Sequence, residues 1–175
     1  MSDIHYSDKA HLAAFKAYYI EGEIENNVDY GFCWRFGIAI GKWLSKLGLE
    51  GQSFSICSVE NYYAMGYKEA IRRGLSGYAE ICDVGDGDLN VLGFSMASLK
   101  TPFGIFLSMT NDKTCKIQIF KGASEIDNDE LANINLFFRT IGSLYQETLR
   151  YKYPHGEIPM KEKYLAAKAS GKYIV

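Results

Sequence analysis

Apolar residues recur at intervals of three and four in three segments of the chain, a spacing that predicts helices. The first predicted helix covers residues 35–47 and stops before Gly48, and the second covers residues 62–75. The third begins after Asp127, which has Glu130 three positions on, as in a capping box. Its apolar stripe consists of Leu131, Ile134, Phe138, Ile141 and Tyr145. Each of these helices therefore has one face suited to a core.

Four shorter segments have the composition of β-strands. Residues 53–57 and 79–84 are short apolar runs, and residues 103–109 are almost continuously apolar, as a buried strand requires. Residues 116–120 alternate between polar and apolar side chains, which favours an edge or half-exposed strand. Because strands and helices alternate through the middle of the chain, we expect an α/β fold with a mostly parallel sheet.

The pattern changes after residue 150. Pro154 and Pro159 bracket a break, residues 160–169 form a short predicted helix rich in Lys and Ala, and residues 172–175 resemble a strand. No Pro-, Gly- or Ser-rich linker interrupts the preceding part of the chain. We therefore expect one α/β domain over residues 1–150 and a C-terminal helical and strand-like appendage over residues 151–175.

Composition and charge exclude several classes of protein. The chain has 175 residues, of which 47% are hydrophobic, as in a single globular domain. Its formal net charge of −2 gives no electrostatic attraction to nucleic acid or to an anionic membrane. The N-terminus lacks the apolar core of a signal peptide, and no segment has transmembrane length. We expect a cytoplasmic protein that binds neither nucleic acid nor membranes.

Residues that ligate metals are scattered along the chain. The cysteines are Cys33, Cys57, Cys82 and Cys115. They include no closely spaced pair, which argues against a zinc or redox site and favours reduced thiols that pack as small hydrophobic residues. The histidines match no ligand or triad spacing and are expected at the surface; they are His5, His11 and His155.

An acidic, glycine-rich segment covers residues 83–88, DVGDGD. This segment has two interpretations, a loop that binds a divalent cation or an acidic turn. The turn is favoured, because ligands from one loop seldom complete a coordination shell. We therefore expect no metal and no cofactor.

Residues 104–122, GIFLSMTNDKTCKIQIFKG, are the most informative segment. They resemble the active-site segment of the α-D-phosphohexomutases (phosphomannomutase/phosphoglucomutase), G-[IV]-M-[IL]-T-[AG]-S-H-N-P-P-x-Y-N-G-[IF]-K-[IV]. Further segments are similar to other motifs of the family, in the family's order: residues 15–22 (FKAYYIEG), 36–41 (FGIAIG), 69–75 (EAIRRGL) and 79–85 (AEICDVG). The resemblance extends over about residues 15–150 and is to the first domain of the family.

This resemblance implies a fold. The family's first domain is a single three-layer α/β domain, in which a four-stranded mixed sheet has helices on both faces and its last strand is antiparallel. Residues 151–175 look like the linker that leads to domain 2 of the family. We therefore expect the metal-binding, sugar-ring and phosphate-clamp domains of the family to be absent.

The resemblance also implies a degenerate active site. In the family, a phosphorylated Ser and the His after it act together with an Arg and a Lys. The matching positions here carry Thr110, Asn111, Glu21 and, when a two-residue deletion is placed in the turn, Gln118. Phosphoryl transfer depends on positioning and on stabilising spread negative charge. The exchange of Arg for Glu inverts a charge at this position.

Other positions depart from the family in the same direction. Asp112 adds negative charge to the loop, so a phosphate on the neighbouring Thr110 would face repulsion. The Arg and Asp of the family's V-G-R-D strand end are replaced by Ser58 and Val59. Ser108 supplies a further hydroxyl, as a residual phosphate acceptor or as a polar residue of a relaxed loop.

Two functions remain open. The first is a pseudoenzyme, a non-catalytic binding or regulatory protein linked to carbohydrate (hexose-phosphate) metabolism. The second is a phosphosugar-binding or phosphotransfer protein with residual activity at Thr110, whose site is completed by a partner chain. In both, hexose phosphate is the ligand that the resemblance implies.

A partner is expected at the C-terminal region. Without a second domain, apolar surface there needs a cover, since sizeable exposed patches usually mark contacts. The aromatic residues concerned are Tyr151, Tyr153, Tyr164 and Tyr173. We therefore expect a homodimer or a heteromeric complex that uses this region.

Overall fold

The apolar runs predicted as strands form the centre of one sheet in the computed structural model, which describes residues 9–141 and 152–172. The elements in chain order are β1 (Ile20–Glu23), α1 (Tyr30–Lys46), β2 (Ser53–Ser58), α2 (Tyr62–Leu75), β3 (Glu80–Asp86), α3 (Leu89–Leu99), β4 (Phe103–Asn111), β5 (Thr114–Lys121), β6 (Ser124–Glu125), α4 (Asn128–Thr140), β7 (His155–Glu157) and α5 (Lys161–Ala169). The predicted α/β class is confirmed.

The sheet has the strand order β1-β5-β4-β2-β3-β7, with β6 paired to β5. Strands β4, β2, β3 and β7 are parallel to one another, and β5 is antiparallel to both of its neighbours on this path. The four predicted strands are β2 to β5, and the last of them is antiparallel, as expected. The sheet is nevertheless larger than predicted, because β1, β6 and β7 extend it to seven strands.

The residues predicted as an edge strand lie inside the sheet. Strand β5 lies between β4 and β1, so the first of the two alternatives for residues 116–120, an edge strand, is wrong. The second, a half-exposed strand, agrees with the mixture of buried and partly exposed side chains along β5. The edge on this side of the sheet is β1, a segment of four residues whose sequence IEGE carries too few apolar positions to predict a strand.

Two apolar clusters occupy the two faces of the sheet. The larger one joins one face to α1, α2 and α4, and the smaller one joins the other face to α3 and α5. Alternation along β2 separates them, since Phe54 and Ile56 belong to the larger cluster and Cys57 to the smaller. Helices therefore cover both faces, as the three-layer prediction requires.

Helices α1 and α2 approach each other at two glycines. A Cβ added at Gly74 would collide with the carbonyl oxygen of Trp34 and lie 2.9 Å from the backbone nitrogen of Ile38. A Cβ at Gly37 would collide with the carbonyl oxygen of Ile71. Because backbone meets backbone here, only glycine permits this helix spacing.

Local capping sets where the helices begin. Asp29 caps α1, accepting a hydrogen bond from the Phe32 backbone nitrogen at 2.6 Å, so this helix begins five residues before the predicted position 35. The predicted capping box at α4 is present, with Asp127 and Glu130 bonded reciprocally. Gly48 follows α1 with φ +72°, a left-handed conformation suited to a helix end.

One histidine departs from the surface position expected for it. His11 is 4% exposed, and its Nε2 lies 3.1 and 3.2 Å from the two carboxylate oxygens of Asp29. Its ring packs edge-on against Phe32 at 5.4 Å between centroids. His155 is exposed on β7, and His5 lies outside the described residues.

Two side chains of the C-terminal segment are buried against the domain. Met160 and Tyr164 are each 3% exposed and belong to the smaller cluster, so Tyr164 contributes nothing to the exposed apolar surface that was expected. The Tyr153 hydroxyl donates to Glu50 Oε1 at 2.8 Å. Tyr145, Tyr151, Tyr173 and the end of the strand-like segment at residues 173–175 lie outside the described residues.

Candidate functional site

The candidate site lies where β4 turns into β5. Asn111 closes the turn, because its Oδ1 accepts a hydrogen bond from the Lys113 backbone nitrogen at 2.8 Å. The pairing of the two strands shifts register between Met109 and Asn111, which leaves Thr110 at an irregular position. Such irregularities redirect a side chain relative to the regular alternation of a strand.

Strand β1 brings Glu21 to this hairpin. Glu21 is paired with Lys116 on β5, and Lys116 is paired with Ser108 on β4. Paired residues on neighbouring strands point to the same face of a sheet. These three side chains therefore form a row on one face, beside the end of β4.

Thr110 and Glu21 are in direct contact. The Thr110 hydroxyl donates a hydrogen bond to Glu21 Oε2 at 3.0 Å. The two residues are 89 positions apart in the chain and are brought together by the β1–β5–β4 arrangement. The Thr110 hydroxyl therefore faces a carboxylate.

A cation, Lys116, stands in the same row. Its Nζ lies 4.5 Å from the centroid of the Tyr19 ring, a cation–π geometry. Lys116 belongs to the predicted alternating strand but is not among the predicted site residues, because the sequence does not predict β1. Lys116 could be recognised as a site residue only if residues 20–23 were predicted as a strand paired with the alternating strand β5.

The remaining predicted positions are placed differently. Gln118 is paired with Phe106, two positions further from the hairpin turn than Lys116, and its Nε2 donates to Glu125 Oε1 at 2.8 Å. Asp112 is exposed in the turn, and Ser108 is half-buried. The structure therefore brings Thr110, Glu21 and Ser108 to one place and ties Gln118 to β6.

The end of β2, at Ser58 and the following Val59, is packed against the rest of the protein. Ser58 is fully buried, and among the described residues its hydroxyl has no hydrogen-bond partner. Val59 packs against both apolar clusters. Neither position supplies a charge to the site.

The aspartates of the acidic segment at residues 83–88 already bond to other groups of the protein. Asp83 pairs with Lys68 at 3.0 Å and with Arg72 at 3.2 Å. Asp86 pairs with Lys161 at 3.1 Å, and Asp88 caps α3. Residues 83–86 belong to β3 and Asp88 is the N-cap of α3, so the segment is the end of a strand and a helix cap rather than one acidic turn. Over residues 9–141 and 152–172, no group of three or more His, Cys, Asp or Glu side chains is arranged to hold a metal ion.

The cysteines pack as small hydrophobic residues. Cys33, Cys57 and Cys115 are buried, and none of the four cysteines forms a disulfide. Burial raises the pKa of the Cys57 and Cys115 thiols to about 12 in each case. They therefore stay protonated and unreactive at neutral pH.

Two solved structures share this fold. A phosphoglucomutase/phosphomannomutase family protein from Burkholderia thailandensis superposes with a TM-score of 0.74 at 15% identity, and a protein titled a phosphomannomutase from Thermus thermophilus with 0.68 at 18%. Each match covers 90% of this chain but 35% of the other chain. The chain thus spans about a third of their length.

These likenesses establish the fold. The chain has an α/β domain of the kind found in phosphohexomutases, as the sequence motifs implied. Its fold is the one seen in these phosphoglucomutase/phosphomannomutase proteins. No protein-family model and no curated protein matches the sequence. Within the described part of the chain, no helix is both long enough and apolar enough to span a bilayer.

Proposed function

We propose that this chain is a non-catalytic binding or regulatory protein, related to the phosphohexomutases and linked to hexose-phosphate metabolism. The observation that carries this proposal is the hydrogen bond from Thr110 to Glu21. A phosphoryl group on Thr110 would stand beside the Glu21 carboxylate, with Asp112 two positions further along the chain. Like charges so placed repel, and phosphoryl transfer needs the opposite arrangement.

The proposal is tested by thermal-shift titration with hexose 1- and 6-phosphates, hexose bisphosphate and inorganic phosphate, with and without magnesium. A ligand at 100 times its dissociation constant adds about 2.7 kcal/mol of stability, or roughly 5–11 °C for a chain of this size. We expect a weak shift or none, because the Glu21 carboxylate stands beside Thr110, where a cation would hold phosphate.

The matched variant is Glu21→Arg, which restores a cation beside Thr110. It should gain a saturable shift with phosphate ligands that the native chain lacks. Glu80→Arg is the control, because it makes the same change of charge at an exposed residue of β3. An equal gain in both variants would show a general effect of charge and would remove the support for this reading of the site.

The same hydrogen bond favours a second function, phosphoryl transfer at Thr110 completed by a partner chain. A hydroxyl that donates to a carboxylate at 3.0 Å has the geometry of a nucleophile with its general base, and Lys116 supplies a cation in the same row. Intact-mass measurement after incubation with hexose bisphosphate separates the two functions. A phosphoryl group gained by the native chain and lost in Thr110→Ala would establish the second and exclude the first.

The partner predicted for the C-terminal region remains part of this proposal. Tyr164 is buried, and among the described residues of this region the large apolar side chains that are exposed are Ile158 and Leu165, at 39% and 51%. Light scattering of the purified chain tests it, and a monodisperse monomer at high concentration would contradict self-association.

A further inference from the structure

A second cavity lies away from the hairpin, between the first turns of α1 and α2. Its volume is about 770 Å³, within the usual range for small-molecule sites. Four tyrosines and two acids line most of it: Tyr30, Tyr62, Tyr63, Tyr67, Glu25 and Asp29. We call it the tyrosine pocket. It shares no lining residue with the Thr110–Glu21 site.

Aromatic rings in mutual contact form one wall of the tyrosine pocket. Tyr62 and Tyr63 pack edge to face at 5.3 Å between centroids, and Tyr63 lies 6.2 Å from Tyr67. The Tyr67 hydroxyl accepts a hydrogen bond from the Glu25 backbone nitrogen at 3.2 Å. Tyr62 is 85% exposed although it is a large aromatic side chain. The wall is therefore anchored at Tyr67 and accessible at Tyr62.

The charge of the tyrosine pocket is negative. Glu25 and Asp29 line it, whereas no Lys, Arg or His is among its described lining residues. Burial raises the pKa of Asp29, but hydrogen bonds from His11 and from the Phe32 backbone nitrogen outweigh it, and the net pKa lies below the usual value. The Asp29 carboxylate is therefore ionised at neutral pH.

Glu25 is held in an unusual conformation at the wall of the pocket. Its φ is +63°, a left-handed conformation that costs an L-residue about 1–2 kcal/mol. Hydrogen bonds from its backbone nitrogen to the Val28 carbonyl oxygen, at 2.9 Å, and to the Tyr67 hydroxyl maintain it. Strain of this kind concentrates at functional positions.

Gly66 supplies an independent observation. It lies within α2, where glycine is about 1 kcal/mol less favourable than alanine. Gly74 of the same helix meets the α1 backbone, but a Cβ at Gly66 would contact nothing within 4 Å. Gly66 lines the tyrosine pocket. The space left by its missing side chain is thus part of this cavity rather than of a helix contact.

We propose that the tyrosine pocket binds an organic cation, an ammonium or guanidinium group carried on an apolar stem. Ring faces attract a cation through their quadrupole, and the exposed Glu25 carboxylate complements its charge. The Asp29 carboxylate, already bonded to His11 and to the Phe32 backbone nitrogen, is a secondary contributor to the negative charge of the pocket. The apolar walls suit the stem and disfavour a strongly hydrated inorganic ion. The same chemistry comes from two sources, a free small amine or a Lys or Arg side chain of a partner protein.

Calorimetric titration of the full chain tests this proposal. The probes are choline, its uncharged isostere 3,3-dimethylbutan-1-ol, and a short peptide with one central arginine. We expect saturable binding of choline or of the peptide, with the alcohol weaker by about tenfold because it lacks the charge. Preference for choline identifies a free amine as the source, and preference for the peptide identifies a side chain. Either result supports the cation site.

Two variants locate the site, each with a matched control. Glu25→Gln should weaken cation binding by about fivefold, and Glu80→Gln, at an exposed carboxylate elsewhere, should leave it unchanged. Gly66→Leu should project a side chain into the cavity and weaken binding without lowering the midpoint of thermal unfolding. Ala97→Leu adds a similar side chain at an exposed position of α3 and should have no effect on binding.

Three results would overturn the proposal. Equal binding of choline and its alcohol isostere would show that charge plays no part. Unchanged binding in a folded Gly66→Leu variant would place the ligand elsewhere. Absence of saturable binding by both choline and the arginine peptide would show that the tyrosine pocket recognises no such cation.

Discussion

The contact between α1 and α2 predicts that the same substitution, glycine to alanine, changes the stability of the protein in opposite directions at two positions of α2. Gly74→Ala gains about 1 kcal/mol of helix propensity, but its methyl group would collide with the Trp34 carbonyl oxygen. Overpacking a core costs about 1–3 kcal/mol. The upper end of this range applies here, because the atom that the methyl group meets belongs to the backbone and cannot move aside as a side chain can. The net expectation is a loss of about 2 kcal/mol, or roughly 4–8 °C in the unfolding midpoint.

Gly66→Ala is the matched control. The new Cβ meets no atom within 4 Å, so only the propensity gain of about 1 kcal/mol remains, which corresponds to roughly 2–4 °C. Urea unfolding followed by circular dichroism at 222 nm gives both free energies of unfolding. If both variants shift in the same direction, or if Gly74→Ala is as stable as the native chain, the helix contact described here is not the one present in solution.

Further predictions concern buried charge and pH. Arg35→Leu should lower the free energy of unfolding by about 2 kcal/mol, because Nε then no longer bonds the Phe138 carbonyl oxygen at 3.0 Å; an unchanged urea midpoint would contradict this. Asp29→Asn keeps a capping side chain but removes the charge beside His11. The pKa of Asp29 is lower in the folded protein than in the unfolded chain. The stability that its ionised carboxylate contributes to the folded state is therefore fully present above the unfolded pKa of about 3.9, and it is lost as the pH falls. The difference in free energy of unfolding between Asp29→Asn and the native chain should therefore become smaller below about pH 4. Urea unfolding at a series of acidic pH values measures it, and a difference that does not change with pH would refute this role of the Asp29 charge.

The central strands and the helices with a clear apolar stripe could be predicted from the sequence, because each pattern lies within one short segment of the chain. The predicted segment at residues 62–75 coincides with α2, and the capping box at Asp127 marked the start of α4. Helix α3 was missed because its sequence, LNVLGFSMASL, has apolar residues on several sides and no clear stripe. Its N-cap, Asp88, was read as part of the acidic segment instead.

The candidate site depended on contacts that local patterns do not encode. Glu21 and Thr110 were linked through the resemblance to a family, since nothing in their own segments predicts that they meet. Lys116 joins them only because β1 pairs with β5. His11 was expected at the surface because an isolated histidine gives no sign of its partner, Asp29. The tyrosine pocket depends on how α1 and α2 are placed relative to each other, which periodicity does not determine.

The strand order has a consequence for synthesis on the ribosome. Ile20 of β1 is paired with Ile117 of β5, so β1 stays unpaired until β5 has been translated. Ile81 of β3 is paired with His155 of β7, so the opposite edge of the sheet is completed only after residue 155 has been translated. Nascent chains therefore carry unpaired strand edges for much of translation, the state in which aggregation competes with folding. Pairings of such sequence separation also slow refolding, which makes yield sensitive to the rate of translation and to chaperones.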